Sequence, residues 1–308
     1  MGAGSSSYTQ PNDTKITLED IPKILHKRDL SEPHRTLRVV CISDTHTRHA
    51  DLNVPDGDIL IHSGESINSD IVKHSSRPED LEDFNRWLGT LPHRYRLVTG
   101  GNHDKIIDNA GLDIDAIRQR YLSNCTHYLK DTSVEIEGIK IYGSPWHGLR
   151  PFWYRANAFG RKEVSHSSSP LVGGVIFHTS HLAHQITGLG RKNIETRWND
   201  IPEDTDIVIT HVPPEGVRDW SHAKQKPEGS PHLTATDLLR VKPKAHIFGH
   251  CHGSYGISRY DSTKNVDYAQ SLRERHGMEA KEEEEYEIYF FNAAQAISRE
   301  PLVFEYIY

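Results

Sequence analysis

Sulfur is scarce in this chain: 308 residues include three cysteines and two methionines. Cys41, Cys125 and Cys251 are too few and too scattered for a disulfide framework, which points to a reducing compartment and a cytoplasmic location. No apolar run approaches the roughly 20 residues needed to span a bilayer, and no signal-peptide core follows Met1. Basic charge is short as well. Lys and Arg number 36 against 43 Asp and Glu, for a formal net charge of -7. Without a basic field there is no counterion release to drive general nucleic-acid binding. Histidine, in contrast, is abundant, at 21 residues. Any metal held here is therefore expected to sit on imidazole and carboxylate, not on sulfur.

Residues 1–35 read as a flexible N-terminal tail. Met1 to Ser7 is small and polar, with nothing to bury. Gly2 followed by Ser6 fits the loose N-myristoylation pattern, but one acyl chain anchors only marginally and no polybasic block follows. Residues 36–308 read as a single domain. Leu37–Ile42, Asp58–His62, Arg96–Thr99, Asp206–Thr210 and Ala245–Phe248 are short, β-branched apolar runs, the pattern of buried strands. Pro78–Leu91 carries Pro and acidic residues in its first turn and apolar residues at helical spacing. Asp113–Leu122 and Thr234–Val241 read as further helices. Val134–Tyr142 alternates around Glu137-Gly138, a hairpin signal. The result is an α/β body with a mixed sheet or two stacked sheets. Arg161–Asn193 and Lys264–Glu285 break the pattern and read as insertions, the second as a solvated helix or loop.

Five strand ends deliver metal-type ligands. These are Asp44 and His46; Glu65 after Gly64; Asn102, His103 and Asp104 after Gly100-Gly101; His211; and His250 and His252 after Gly249. Strand carboxyl ends are where open α/β sheets bind ligands. In extended chain, residues two apart point to one side, so each Asp/His or His/His pair would reach one centre and Cys251 would point elsewhere. Oxygen and nitrogen donors without sulfur suit two hard-to-borderline cations such as manganese, iron or zinc. His178, His181 and His184 step by three and read as surface or lid histidines. Trp146 and His147 follow a strand; they read equally as an aromatic core plug or as a substrate-binding wall.

In this order, Asp44-x-His46, Gly64-Glu65, Gly101-Asn102-His103-Asp104, His211 and Gly249-His250-x-His252 resemble the calcineurin-like metallophosphoesterase superfamily. Cys41-Ile42-Ser43-Asp44-Thr45-His46, Ser144-Pro145-Trp146, Ile209-Thr210-His211-Val212-Pro213-Pro214 and His246-Ile247-Phe248-Gly249-His250 bring the chain closer to its metallophosphoesterase-domain-containing subgroup. The resemblance runs from about Leu37 to Tyr260. It implies an α/β fold in which a double β-sandwich is flanked by helices, with a dimetal centre at one end. It implies a hydrolase, a phosphodiesterase or phosphomonoesterase of a small-molecule substrate, acting through in-line attack of a metal-bridging hydroxide. One ion would take Asp44, His46, residue 65 and His252; the other would take residue 65, Asn102, His211 and His250. His103 matches the histidine that meets the phosphoryl group and leaving oxygen.

One position departs from the resemblance. The bridging residue after Gly is Asp in the family and Glu65 here. The extra methylene moves the carboxylate by roughly one carbon–carbon bond, against a tolerance of about 0.2 Å for metal–ligand distances. Glu65 can still bridge if the backbone retreats. This departure keeps two alternatives open: an enzyme of the same fold repurposed for a non-phosphate substrate, and a non-catalytic metal-binding module. His103 speaks against the second, because a pure binder has no use for it.

Overall fold

Alternate residues of strand Thr36–Ile42 face opposite ways, and both sets are apolar. Val39 and Cys41 enter one buried cluster, Val40 and Ile42 another. A strand buried on both faces needs a layer on each side, and the chain supplies a second sheet on one side and helices on the other. The computed structural model describes residues 14–17, 20–26, 34–68, 77–148, 158–161, 194–279, 285–295 and 300–308.

In chain order the strands are β1 (Thr14–Ile16), β2 (Lys23–Leu25), β3 (Thr36–Ile42), β4 (Ile59–His62), β5 (Tyr95–Val98), β6 (His127–Tyr128), β7 (Thr132–Ile136), β8 (Ile139–Ser144) and β9 (His147–Gly148). They continue with β10 (Gly160–Arg161), β11 (Ile207–Thr210), β12 (Trp220–Ser221), β13 (Lys226–Pro227), β14 (Ala245–Phe248), β15 (Gly256–Asp261), β16 (Glu287–Asn292) and β17 (Leu302–Ile307). One sheet has six strands in the order β2-β17-β3-β4-β5-β6; the other has seven, β1-β15-β16-β14-β11-β8-β7. Between them lies an aliphatic layer that includes Cys41, Ile59, Ile61, Ile141, Ile209, Ile247 and Phe291. The expected double β-sandwich flanked by helices is the fold observed.

The helix Pro78–Leu88 lays Leu81, Phe84 and Leu88 onto the outer face of the six-stranded sheet. It stops three residues short of the expected Leu91. The predicted hairpin is present, with Ile136 opposite Ile139. Its turn residues Glu137 and Gly138 both have positive φ, 51° and 81°, as a two-residue turn that matches strand twist requires. Helix Ile114–Tyr121 is capped by Asp113, whose side chain accepts from the Ala116 N–H at 2.8 Å. The helix expected at Thr234–Val241 begins earlier, at Pro231, and its last six residues are wound as π-helix.

Two expectations about the ends of the chain need correction. Residues 1–35 are not wholly a tail: Thr14–Ile16 pairs antiparallel with β15, and Lys23–Leu25 pairs parallel with β17. Each is a three-residue edge strand, and Ile24 is the one fully buried side chain between them, too little for periodicity to register. The stretch 264–285 is not simply solvated either. Helix Val266–His276 buries Ala269 and Leu272 against the cluster of Leu238, Phe248 and Phe290. Gly2, most of the insertion at 161–193 and its three histidines lie outside the described residues.

Candidate metal centre

The parallel strands β3, β4, β5, β11 and β14 end at one edge of the sandwich, and the loops that follow carry the polar residues. Two loops are zipped together by backbone. Asp44 N–H donates to Gly64 O at 2.9 Å, His46 N–H to Glu65 O at 3.1 Å, and Thr47 N–H to Ser66 O at 3.1 Å. The chain pays for this with left-handed backbone at Asp44, His46, Glu65 and His250, whose φ values run from 47° to 66°. This corrects the sequence argument: Asp44 and His46 converge through tight turns and not as alternating residues of an extended strand. Asp and His tolerate that region better than branched residues do.

Asp104 anchors the arrangement from below. Its buried carboxylate accepts from Glu65 N–H (2.8 Å), Gly101 N–H (2.8 Å), Ser66 Oγ (2.8 Å) and Ile67 N–H (3.3 Å). Burial still pushes the Asp104 carboxyl up, against these bonds. Gly249 permits close approach on the other side. A Cβ there would lie 2.0 Å from Asp44 Oδ2 and 2.2 Å from Ser43 Oγ.

Two donor sets result. Asp44, His46, Glu65 and His252 form one; Glu65, His211 and His250 form the other, each set spanning no more than 4.8 Å. In the first, His46 Nε2 is 3.3 Å from His252 Nε2 and 2.9 Å from Glu65 Oε2, and His252 Nε2 is 3.1 Å from Asp44 Oδ1. In the second, His211 Nε2 is 2.9 Å from Asn102 Oδ1, 3.2 Å from His250 Nδ1 and 3.3 Å from Glu65 Oε1. Donor atoms that ring a cation at about 2.0–2.2 Å stand roughly 3–3.5 Å from one another. The residues fit two small divalent cations, with the two oxygens of Glu65 divided between the sets. The opposite ring nitrogen of His46, Nδ1, is buried without a hydrogen-bond partner among the described residues.

The electrostatics match. Burial alone would raise the Glu65 carboxyl, but His103, His46 and His211 outweigh it and hold the group well below the usual carboxylate range. Burial opposes the charged form of His252 too, yet bonds to Asp44 and Glu65 push it up to about 10. His46 and His211 are raised for the same reason, each burdened by burial and favoured by Glu65. An excess of negative potential thus sits at the centre of the cluster, where a cation would lie. The opposite case is His62, which burial pushes down to about 3. Its Nδ1 accepts from Gly64 N–H (3.3 Å) and its Nε2 faces Thr45 Oγ1 (3.2 Å), so this neutral ring links the two ligand loops.

All seven expected ligands therefore meet at one place, and His103 stands beside them with Nε2 3.6 Å from Glu65 Oε1. Burial lowers His103, with Glu65 opposing. His103 and five of the ligands, His46, Glu65, Asn102, His250 and His252, line a cleft of about 340 Å³ together with Ser221, His222, Lys224 and Glu228. Those four went unnoticed in the sequence, because strands of two residues leave no periodic signal. His147 does not join the site. It is buried, with Nδ1 2.6 Å from Gly148 O and Nε2 2.7 Å from Ala158 O, and it is not among the residues that line this cleft. Trp146 is likewise buried, its indole N–H donating to Asp131. Cys251 is buried outside both donor sets and donates to Asp219 O at 3.1 Å. All three cysteines are buried.

A β-sandwich that gathers two nitrogen-and-oxygen donor sets around a shared carboxylate has the architecture of a metal-dependent hydrolase. The sequence model of the calcineurin-like phosphoesterase family matches residues 37–254, and the chain belongs to that family. Metallophosphoesterase domain-containing protein 1 of Homo sapiens is 33% identical over 259 residues, covering 78% of this chain and 68% of the relative; the Mus musculus protein gives the same values. A UPF0046 protein of Caenorhabditis elegans is 34% identical over 249 residues, covering 76% of this chain and 75% of the relative. Members of the family bind two divalent metal ions. Among the described residues no helix is long and apolar enough to cross a membrane.

Proposed function

We propose that this protein is a dimetal-dependent phosphoesterase acting on a small phosphodiester or phosphomonoester, with manganese, iron or zinc as its cations. The observation that carries the reading is the division of Glu65. Oε2 lies 2.9 Å from His46 Nε2, and Oε1 lies 3.3 Å from His211 Nε2, so the longer side chain spans both sets without losing either. Two bound cations would supply Lewis acidity toward phosphoryl oxygens and acidify the attacking water. The remaining work falls to the chain itself. Asp44, His46 and His252 would hold one cation, Asn102, His211 and His250 the other, and Glu65 would fix their separation. Asp104 keeps Glu65 in place through its backbone. His103, at the cleft side of Glu65, would donate its Nε2 proton to a phosphoryl or leaving oxygen, which lowers the barrier as negative charge develops there.

The test is hydrolysis of an aryl phosphodiester and an aryl phosphomonoester by chelated and cation-reloaded protein. Turnover of either ester that requires Mn, Fe or Zn supports the reading. A protein that binds both cations and hydrolyses neither would favour the second reading, a repurposed enzyme, which the substitution of Glu for Asp at residue 65 motivates.

A further inference from the structure

His250 has two faces, and each meets a different partner. Its Nδ1 points into the second donor set, 3.2 Å from His211 Nε2. Its Nε2 points the other way, 3.6 Å from Glu228 Oε2. Glu228 directly follows the second strand of the β12–β13 hairpin, in which Trp220 pairs with Pro227 and Ser221 with Lys226. The hairpin is fixed at its base: Glu228 N–H donates to Asp219 O at 2.9 Å, and the Asp219 carboxylate accepts from Gly216 and Gly229 N–H at 3.0 and 3.2 Å. The other oxygen of Glu228, Oε1, meets Lys224 Nζ at 2.6 Å. The Glu228 side chain is only 9% exposed.

We propose that Glu228 is a positioning residue for the second cation, acting through His250, and that Lys224 holds Glu228 in place. An imidazole that ligates through Nδ1 must carry its proton on Nε2. A carboxylate on the Nε2 side, here at 3.6 Å, favours that tautomer electrostatically and makes Nδ1 a stronger donor. Burial of Glu228 strengthens the effect, because little water intervenes to screen it. The three groups lie in series, Lys224 to Glu228 to His250, and the last of them faces the metal cluster. The inference rests on the proposed dimetal reading, since it concerns the second centre of that same site.

The experiment is titration of metal-free protein with Mn²⁺, followed by calorimetry, on wild type, Glu228→Gln and Glu228→Ala. A His252→Ala protein, which lacks part of the first set, identifies the second centre's isotherm. The proposal predicts that both Glu228 variants weaken the second centre by about 10- to 100-fold while the first centre stays within about twofold. An unchanged second centre overturns it. An equal loss at both centres also overturns it, since that would make the hairpin a general support of the cleft. Wild type that binds no Mn²⁺ contradicts the dimetal reading itself, an outcome distinct from failure of the Glu228 role alone.

Discussion

His211 and His250 face one another nitrogen to nitrogen, with Nε2 of one 3.2 Å from Nδ1 of the other. Nitrogens this close leave room for at most one proton between them, and Asn102 Oδ1, at 2.9 Å from the same Nε2, adds a third polar atom to the meeting point. The same happens between His46 and His252 at 3.3 Å. Donor atoms crowded at two points, with Glu65 between them, suit cations better than they suit each other.

His103 is expected to act on substrate and not on metal. His103→Ala should lower turnover of an aryl phosphoester by about 10²–10⁴-fold while metal content stays at the wild-type level. Parallel loss of metal and turnover would instead place His103 among the ligands.

Glu65→Asp tests the reach of the shared carboxylate. The variant should retain or raise phosphodiester turnover if the backbone at residue 65, with φ of 56°, relaxes toward the ligands. A gain in generic turnover with loss of a native non-phosphate reaction would mark a reshaped active site. Unchanged metal occupancy and unchanged turnover would show that residue 65 does not bridge.

Gly249→Ala forces a methyl to within 2.0 Å of Asp44 Oδ2 and 2.2 Å of Ser43 Oγ. Displacing the Asp44 side chain should cost about 1–3 kcal/mol of stability and weaken cation binding in the first set. Denaturant unfolding and a Mn²⁺ titration check both effects. Wild-type values in both would mean that the loop yields freely.

His62 gives the metal-free protein a signature in acid. Its folded pKa lies near 3, against an unfolded value of about 6.5. Between those values the unfolded chain binds a proton that the folded one refuses, so stability falls as pH falls from about 6.5 toward 3. The group contributes up to about 1.4 kcal/mol per pH unit to that slope. His62→Gln should flatten the stability–pH curve in this window and leave it unchanged above pH 7. An identical slope in both proteins would contradict the buried, neutral assignment.

What could be read from the sequence follows from how each feature is stabilised. Val39–Ile42, Ile59–Ile61 and Ile207–Ile209 are buried on both faces, so their apolar runs announced strands, and the ligands at their ends followed. Thr14–Ile16 and Lys23–Leu25 are sheet edges held mainly by backbone bonds, which side-chain pattern does not reveal. Lys224 and Glu228 reach the cleft from a hairpin with Pro227 in one strand, a poor strand signal. His147 looked like a cleft residue by position, but neighbouring carbonyls hold both its ring nitrogens. The left-handed turns at Asp44 and His46 were also hidden. They depend on hydrogen bonds to Gly64 and Glu65, residues distant in sequence.

Two cations sharing Glu65 would be seen in an anomalous difference map from crystals grown with Mn²⁺. The expected result is two peaks about 3.5–4 Å apart, one beside His46 and His252, the other beside His211 and His250, with the Glu65 carboxylate between them. A single peak, or none within reach of Glu65, would contradict it.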